Sequence, residues 1–399
     1  MKAADYGQKT GSSSAFVSTN SICQGQQVPI LWPLIFGLNY EISFAHTSFK
    51  WANLAAHNAG VTVAIISIAP VSGRPKILFS NGADGKTIRQ EFTHINAYLV
   101  PGSNIVVQST THPCCSKAHM EWGNKPTDGN NLSLSYCEKK YIINLYPNSE
   151  KFIRPYLGAA EFIRGNERFC IWVDDNDVDE EKKIPAFHER FERVRDFRSD
   201  SKASETRPAA NYPHKFRQIQ NVSKEYALIL PQVSSEKREY FPVGILSKED
   251  IVSNLAFALY DAPLWNMALI ASRLHLVWIG TVCGKLETRY RYSNTMGWNT
   301  FPVPTLTEKN RADLTRCAQD ILLAREAHFP ATIADLYDPD KMPDNLRAAH
   351  DRNDEVLERI YIGRRFRNDT ERLEKLFDLY SKMIAKKGGK TKKKKKDAA

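Results

Sequence analysis

AFVSTNSICQGQQV (Ala15–Val28) and EISFAHTSFKWANLAAHNAGVTVAIISI (Glu41–Ile68) are the two stretches that decide the predicted fold of this chain. The end of the second stretch, Val61–Ile68, is rich in β-branched residues and almost continuously apolar, which is typical of a strand buried on both faces. The run Ala15–Asn20 ends in small polar residues, as at the carboxyl end of a buried strand, where open α/β sheets bind their ligands. These runs predict an α/β domain.

A helix and a further strand are predicted between these two runs. Gly25–Phe36 has apolar residues at helical spacing, and Pro33 limits this segment to a short or kinked helix. Glu41–Ala45 alternates enough for a strand. A helix followed by two strands joined by a loop closes many class I methyltransferase sheets, although the periodicity alone fits any doubly wound α/β domain.

The texture of the sequence changes twice after this region. From residue 71 to residue 246, short apolar runs alternate with Gly, Pro and Asn clusters such as GNKPTDGNN (Gly123–Asn131), which predicts a mixed domain with long loops. After Ser247 the sequence predicts a mainly helical region, because Asp250–Leu276 is apolar and periodic. We therefore expect domains at residues 1–70, 71–246 and 247–385, and a disordered Lys-rich tail at residues 386–399.

Charge and composition limit the class of protein. The formal net charge is +10, but the tail from Lys386 to Ala399 supplies +7 of it through eight lysines and one aspartate. No apolar run reaches the roughly 18 residues of a membrane span, and the pattern of a signal peptide is not visible. Seven cysteines without regular spacing fit a reduced protein better than a disulfide scaffold. We expect a cytoplasmic protein whose tail is a solvated end or a non-specific phosphate tether.

Long strings along the chain resemble one protein family, in the family's order. They are FVSTNSICQGQQV (Phe16–Val28), INAYLVPGSN (Ile95–Asn104), GNKPTDGNNLSLS (Gly123–Ser135), FIRPYLGAAEFIRGNERFCIW (Phe152–Trp172), LPQVSSEKREYFPVGIL (Leu230–Leu246) and SRLHLVWIGTVCGKLETRYRYSNTMGWNTFPVP (Ser272–Pro304). Through them the chain resembles the C-terminal portion of MmeI-like adenine-specific DNA methyltransferases of type II restriction-modification systems. The resemblance implies the C-terminal strands of a class I sheet that uses S-adenosyl-L-methionine (SAM). A mixed α+β target-recognition domain for double-stranded DNA and a helical C-terminal domain would follow that sheet.

Three motifs of that family are missing from the sequence. It contains no Asn-Pro-Pro-Tyr catalytic motif, no glycine-rich strand-to-turn segment for SAM, and no Asp…Glu-x-Lys nuclease set. We therefore expect no catalytic residue on this chain, no SAM bound by the chain alone, and methyl transfer only with a separately encoded N-terminal half. The alternatives are a gene remnant, a non-catalytic sequence-specific DNA-binding protein, and an interaction scaffold of a phage-defence system.

The aromatic residues of TSFKWANLAAHNAG (Thr47–Gly60) are candidates for contact with a flipped base. The stretch links two predicted strands at the ligand edge, and an exposed ring stacked on an extruded base is worth about 1–3 kcal/mol. From composition alone, Phe49 and Trp51 fit ordinary core aromatics at least as well. The resemblance implies that Phe49 stacks on the flipped adenine, with Lys50 beside it.

A basic region between His188 and Arg217 is a candidate for DNA contact. Its arginine and lysine residues alternate with acidic and small polar residues, on what the sequence predicts to be a loop. Arginine and lysine suit guanine edges and phosphates. The candidates are Arg195, Arg198, Lys202 and Arg207, and a mixed, solvated surface is the alternative.

KLETRYRYSN (Lys285–Asn294) is a second basic candidate. Strand alternation puts Arg289 and Arg291 on one face and two tyrosines on the other. A phosphate clamp and a strand covering a domain junction fit the pattern about equally. HPCCSKAHM (His112–Met120) is not expected to bind metal, because adjacent cysteines cannot easily both reach one zinc ion.

Overall fold

The computed structural model describes residues 1–51, 61–82, 85–181 and 183–396, and the part up to Phe92 forms a five-stranded sheet with flanking helices. Its elements are helix α1 (Lys2–Thr10), strand β1 (Ser14–Thr19), helix α2 (Gln27–Phe36), and strands β2 (Tyr40–Lys50), β3 (Thr62–Pro70), β4 (Lys76–Asn81) and β5 (Thr87–Phe92). The strand order is β1-β3-β2-β4-β5. Strand β3 is antiparallel to both of its neighbours, so β1 and β2 run in the same direction.

The sequence predictions for strands β3 and β1 have different outcomes. Strand β3 is buried on both faces as predicted, since the adjacent residues Val63 and Ala64 are both buried. Strand β1 was expected to be buried, but Phe16 is 44% and Val17 is 55% exposed. The reason is position: among the described residues, β1 pairs only with β3 and forms an edge of the sheet. Its apolar side chains are therefore available to further polypeptide.

The middle of the chain consists of small sheets and helices. The elements are β6 (Glu121–Trp122), β7 (Ser133–Leu134), α3 (Tyr136–Leu145), β8 (Ile153–Leu157), α4 (Ala159–Arg164), β9 (Phe169–Ile171), α5 (Val178–Glu181), α6 (Pro185–Ser199), β10 (Tyr226–Pro231), β11 (Val233–Ser234), β12 (Gly244–Ser247), β13 (Ile251–Val252), β14 (Ala256–Tyr260), α7 (Trp265–Ile270), α8 (Arg273–Val282), β15 (Lys285–Leu286) and β16 (Arg289–Arg291). The sheets have the orders β12-β10-β14-β6, β13-β8-β9-β7 and β11-β16-β15. Short 3-10 helices lie at Asn20–Cys23, Pro147–Phe152, Asp175–Asp177 and Arg207–Asn211, and a π-helical turn lies at Asn294–Trp298.

The expectation of a mainly helical region from Ser247 onward is corrected in its first part. Strands β13 and β14 occupy residues 251–260, and β14 pairs with β10 in the register Leu228↔Leu259. A short, fully apolar run does not distinguish a buried strand from a buried helix by its periodicity. The sheet that contains β10, β12 and β14 therefore joins residues on both sides of the boundary expected at residue 246.

The C-terminal region is helical, as the sequence predicts. Its helices are α9 (Glu308–Glu326), α10 (Ile333–Leu336), α11 (Asp344–Ile362) and α12 (Asp369–Lys396). Thr307 caps α9, since its hydroxyl accepts a 3.1 Å hydrogen bond from the Asn310 backbone N–H. Helix α12 extends as far as Lys396, whereas the sequence predicts disorder from Lys386. Over the described residues, no helix combines the length and apolarity needed to cross a membrane.

Two main hydrophobic cores organise these elements. The larger core contains side chains of the first sheet, of β10 and of the C-terminal helices, for example Ile66, Leu228 and Phe377. The smaller core lies in the middle of the chain and contains Phe152 and Phe187. The first sheet, the strand region around β10 and the helical end are thus packed through continuous apolar contacts.

Candidate nucleic-acid interface

The carboxyl ends of β1 and β2 lie at the same edge of the first sheet, because both strands are antiparallel to β3. Thr19 is opposite Val63, and Val63 is opposite Phe49. Opposed residues of antiparallel strands point to the same face, and neighbouring strands are about 4.8 Å apart, so Thr19 and Phe49 are roughly 10 Å apart on one face. This is the edge at which open α/β sheets bind ligands.

Phe49 and Lys50 are the last two residues of β2 and not, as expected, part of a loop. The Phe49 ring is partly exposed and contacts the His46 ring edge to face, with 4.8 Å between the ring centres. Lys50 is exposed, and Trp51 is 40% exposed with its ring centre 6.4 Å from that of Phe49. The remainder of the predicted loop, residues 52–60, lies outside the described residues. Aromatic faces and one cationic side chain therefore meet at the ligand edge.

Asn20 is a residue at this edge that reasoning from the sequence missed. It follows β1 directly, its side chain is buried, and its Nδ2 has no hydrogen-bond partner among the described residues. A buried amide without a partner costs about 1–3 kcal/mol. A ligand or further polypeptide at this edge would remove that cost. The signal was present in the sequence, because AFVSTN ends in small polar residues where a ligand edge was predicted.

Strands β15 and β16 form a hairpin in which the predicted alternation is seen. Arg289 and Arg291 are exposed, Tyr290 is partly buried and Tyr292 is buried. Arg289 Nη2 lies 3.0 Å from a carboxylate oxygen of Glu287. In the part of the chain that the structure describes, the Arg291 guanidinium makes no hydrogen bond and no ion pair. The tyrosines anchor the hairpin, and the arginines face solvent.

Glu236 contacts this hairpin and is influenced by the charge of Lys50 at the end of β2. Thr288 Oγ1 donates a 2.6 Å hydrogen bond to Glu236 Oε1. That hydrogen bond is the largest cause that lowers the pKa of Glu236, and the nearby charge of Lys50 also lowers it. Among the described residues, no hydrogen bond or ion pair joins Lys50 to Glu236. The hairpin and the charge of Lys50 therefore act on the same carboxylate, and only the hairpin contacts it.

Arg195 lies on helix α6, where the sequence predicts a loop. The helix forms because Phe187, Phe191 and Val194 recur at helical spacing and are buried in the smaller core. Arg195 points outward, and its Nη1 lies 2.5 Å from Glu192 Oε1, an exposed pair that contributes little to stability. Arg195 can therefore leave Glu192 and bind a phosphate group at little cost in stability.

Lys202 and Arg207 follow helix α6 on the surface. Both side chains are exposed. Within the described ranges neither forms a hydrogen bond or an ion pair. This region rests on the smaller core, whereas the hairpin with Arg289 packs on the larger core through Tyr290 and Tyr292. The two basic regions proposed to contact DNA thus pack on different hydrophobic cores.

Arg198 has a role different from the DNA contact expected of it. Its side chain is fully buried, and its guanidinium donates hydrogen bonds of 2.7–3.0 Å to five backbone carbonyl groups. The acceptors belong to Pro126, Thr127, Ala209, Tyr212 and Lys215. A guanidinium has five N–H donors, so none remains for a base or phosphate. Arg198 holds the surrounding loops together and does not contact DNA in this conformation.

The HPCCSKAHM segment lies against the loop that contains Phe301. Among the described residues, no group of three or more His, Cys, Asp or Glu side chains could hold a metal ion. His112 and His119 are near each other, with 6.0 Å between their ring centres. Neither the Asn-Pro-Pro-Tyr motif nor a glycine-rich turn occurs in the sequence.

Comparison with known proteins identifies relatives along nearly the whole chain. Family models match at residues 1–80 ("MmeI, DNA-methyltransferase domain"), 101–305 ("MmeI, target recognition domain") and 306–386 ("MmeI, C-terminal domain"). DNA methyltransferase A of Bacillus subtilis (strain 168) is 37% identical over 381 residues, which are 95% of this chain and 42% of that protein. A solved structure of the Type IIL restriction-modification enzyme MmeI in complex with DNA superposes with a TM-score of 0.87 at 35% identity, covering 96% of this chain and 51% of MmeI.

The chain spans about half the length of MmeI and less than half the length of DNA methyltransferase A. The match to the target-recognition model ends at residue 305, and the strands around β10 and the hairpin β15–β16 lie inside it. The three models follow one another in the order that the sequence resemblance predicts. The methyltransferase model also implies a family that uses SAM. The chain belongs to the MmeI family, with the end of its methyltransferase domain, its target-recognition domain and its C-terminal domain.

Proposed function

We propose that this chain provides DNA target recognition and one wall of the flipped-adenine pocket for a site-specific adenine-N6 DNA methyltransferase. The observation that supports the proposal is the partly exposed aromatic and exposed basic side chains at the end of β2, with a basic hairpin whose neighbouring carboxylate also feels the charge of Lys50. Phe49 and Lys50 end β2 at the ligand edge, and Glu236 accepts a hydrogen bond from the hairpin that exposes Arg289 and Arg291. A base extruded from a duplex bound by the hairpin would stack on the aromatic wall.

Phe49 is the stacking residue in this proposal, and Lys50 is its cationic neighbour. A partly exposed ring held edge to face by His46 is a firm platform for a base. Asn20, which follows Thr19 opposite Val63, adds an amide whose Nδ2 has no hydrogen-bond partner among the described residues. The amide can donate to a ring nitrogen or a carbonyl oxygen of whatever occupies the edge.

DNA recognition is assigned to the exposed basic side chains on two faces. Arg289 and Arg291 on the hairpin, together with Arg195, Lys202 and Arg207 near α6, are exposed and would contact bases or phosphates of double-stranded DNA. MmeI itself was solved in complex with DNA, which supports the same partner for this chain. Arg198 is excluded from this set and acts as the residue that positions the loops around it.

Methyl transfer from SAM requires polypeptide beyond these 399 residues. The sequence has no glycine-rich turn to hold SAM and no Asn-Pro-Pro-Tyr motif to accept the adenine amino hydrogen bond. The exposed edge of β1, with Phe16 and Val17 at its surface, is the place where further strands would extend the sheet. The chain by itself should bind DNA and neither bind SAM nor methylate.

The test has two arms. The purified chain is first used to select duplexes from a randomised library, and a shared sequence motif among the bound duplexes is expected. The chain is then mixed with a polypeptide that carries the Asn-Pro-Pro-Tyr and glycine-rich motifs, and methylation of adenine within that motif is measured. Selection without methylation would favour a non-catalytic DNA-binding protein. Absence of any selected motif would contradict target recognition.

A further inference from the structure

Cys114 and Cys115 form a pair of thiols beside the ammonium group of Lys117. They are not part of the proposed DNA interface. Their Sγ atoms are 3.9 Å apart. Cys114 is buried, and Cys115 is partly exposed. Lys117 Nζ lies 3.4 Å from the Cys115 Sγ, within hydrogen-bond distance of sulfur.

Lys117 is held in place by contacts other than the thiol. Its Nζ donates a 2.8 Å hydrogen bond to the Phe301 carbonyl oxygen and lies 5.1 Å from the centre of the Trp298 ring. These contacts hold the ammonium group beside Cys115 Sγ. Partly exposed cysteines beside a lysine are the ones that react as thiolates.

The neighbouring groups favour the thiolate of Cys115. The hydrogen bond from the Cys114 thiol is the largest cause that lowers the pKa of Cys115 to about 6, and the charge of Lys117 adds to it, against the opposing effect of burial. At pH 6.5 a thiol with that pKa is mostly ionised, whereas an ordinary thiol with a pKa of about 8.5 is roughly 1% ionised.

We propose that Cys115 is a nucleophilic modification site for soft electrophiles and peroxides, with Cys114 as its resolving thiol. In the first step the Cys115 thiolate attacks one peroxide oxygen, the O–O bond breaks, and the departing hydroxide takes a proton from solvent, leaving a sulfenic acid. In the second step the Cys114 sulfur attacks the Cys115 sulfur, an S–S bond forms, and the S–O bond breaks. The hydroxide leaves as water with the Cys114 proton.

The disulfide formed in this way is expected to be readily reduced. Adjacent Cα atoms are about 3.8 Å apart, which is shorter than the roughly 4.4–6.8 Å that unstrained disulfides span. A strained disulfide has a less negative reduction potential and reopens in excess thiol. The pair is therefore suited to reversible oxidation and not to permanent cross-linking.

The first experiment measures alkylation of the full chain by iodoacetamide as a function of pH, resolved by cysteine with mass spectrometry. Cys137 on α3 is exposed and is the internal control. The lower intrinsic nucleophilicity of a low-pKa thiolate offsets part of its larger ionised fraction, so Cys115 should react several-fold faster than Cys137 at pH 6.5. Its rate should level off above an inflection near pH 6. Equal or slower alkylation, or an inflection at pH 8 or above, overturns the proposal.

Variants and peroxide then separate the two roles. Lys117→Met keeps most of the side-chain volume and removes the charge, so the inflection should move upward and the rate at pH 6.5 should fall several-fold. Wild-type chain treated with hydrogen peroxide should lose two hydrogens in the peptide with Cys114 and Cys115 and regain them with dithiothreitol, whereas Cys114→Ser should stop at the sulfenic acid. An unchanged Lys117→Met profile or an unmodified wild-type peptide contradicts the assigned roles, and a matching wild-type thermal unfolding midpoint verifies each variant's fold.

Discussion

Thr288 Oγ1 donates a 2.6 Å hydrogen bond to Glu236 Oε1, which fixes the turn of the Arg289–Arg291 hairpin to the segment that follows β11, and the charge of Lys50 lowers the pKa of the same carboxylate. The contact joins segments 52 residues apart in sequence. It holds the turn of the hairpin that carries the proposed recognition arginines. Loss of the contact should therefore affect DNA reading more than folding.

Thr288→Val tests this contact, because it removes the donor and keeps the shape of the side chain. A single hydrogen bond is worth about 0.5–1.5 kcal/mol, so the loss of affinity for the selected duplex should be no more than about tenfold. Discrimination against single-base variants of that duplex should also decrease. Fluorescence anisotropy titrations measure both, with Thr315→Val on helix α9 as the control. Unchanged affinity and discrimination would show that the hairpin position does not depend on Thr288.

Arg198→Ala should damage the structure, unlike Arg195→Ala. Removal of the Arg198 guanidinium leaves five carbonyl groups without their donors, and unpaired buried groups cost about 1–3 kcal/mol each. Arg195 is an exposed residue whose ion pair contributes about 0–1 kcal/mol. Urea unfolding and limited proteolysis of residues 200–217 should show a large loss of stability for Arg198→Ala and almost none for Arg195→Ala. Equal stability of the two variants would restore Arg198 as a candidate DNA contact.

Asp354 should make the stability of the chain fall as the pH rises. Burial is the largest cause that raises the pKa of Asp354 to about 7, and the adjacent Glu358 raises it further, while the hydrogen bond from the Arg273 backbone N–H opposes the shift. Because the folded-state pKa is above the unfolded value of about 3.9, the folded state holds this proton more tightly. The stabilisation is complete below about pH 4 and is lost as the pH rises towards 7.

Asp354→Asn is the variant that tests this pH dependence. An asparagine Oδ1 can still accept the 2.7 Å hydrogen bond from the Arg273 N–H, and it does not ionise. The free energy of unfolding in urea at pH 5 and pH 8 should differ less for Asp354→Asn than for the wild-type chain. The same difference in both proteins would rule out Asp354 as the titrating group.

Arg291→Ala should weaken DNA binding in one of two measurable ways. If Arg291 reads a base, preference at one base pair should relax by about 1–3 kcal/mol. If it contacts a phosphate, affinity should fall for all duplexes alike, and the salt slope should decrease by about 1. Titrations at several salt concentrations separate the two, and Arg316→Ala on α9 removes the same charge far from the hairpin as a control. An effect no larger than that of the control would remove Arg291 from the interface.

Local pattern predicted the elements whose neighbours are close in sequence. The β-branched run predicted at residues 61–68 corresponds to the buried strand β3, which begins at Thr62, and the alternation of residues 289–292 gives the outward arginines and inward tyrosines seen in the hairpin. The ordered strings predicted the family that the comparisons show. In these places one segment and its nearest partner are sufficient to determine the structure.

Residues whose environment comes from distant segments could not be predicted in this way. Arg198 has the sequence context of a surface arginine, and only the folding of residues 126–127 and 209–215 around it makes a cage of carbonyl groups. The contact between Thr288 and Glu236 likewise depends on the packing of two separate segments. The sequence of β14 fits a buried helix or a buried strand equally well, and its pairing with β10 makes it a strand.

The most direct test of the proposed pocket is methylation by the completed enzyme with Phe49→Ala. Loss of a stacking face should reduce the rate constant for methylation by roughly 5- to 150-fold, which corresponds to about 1–3 kcal/mol. Phe329→Ala removes the same ring from an exposed position between helices α9 and α10 and should leave the rate unchanged. A Phe49→Ala rate within about threefold of wild type, with SAM and DNA saturating, would contradict the account.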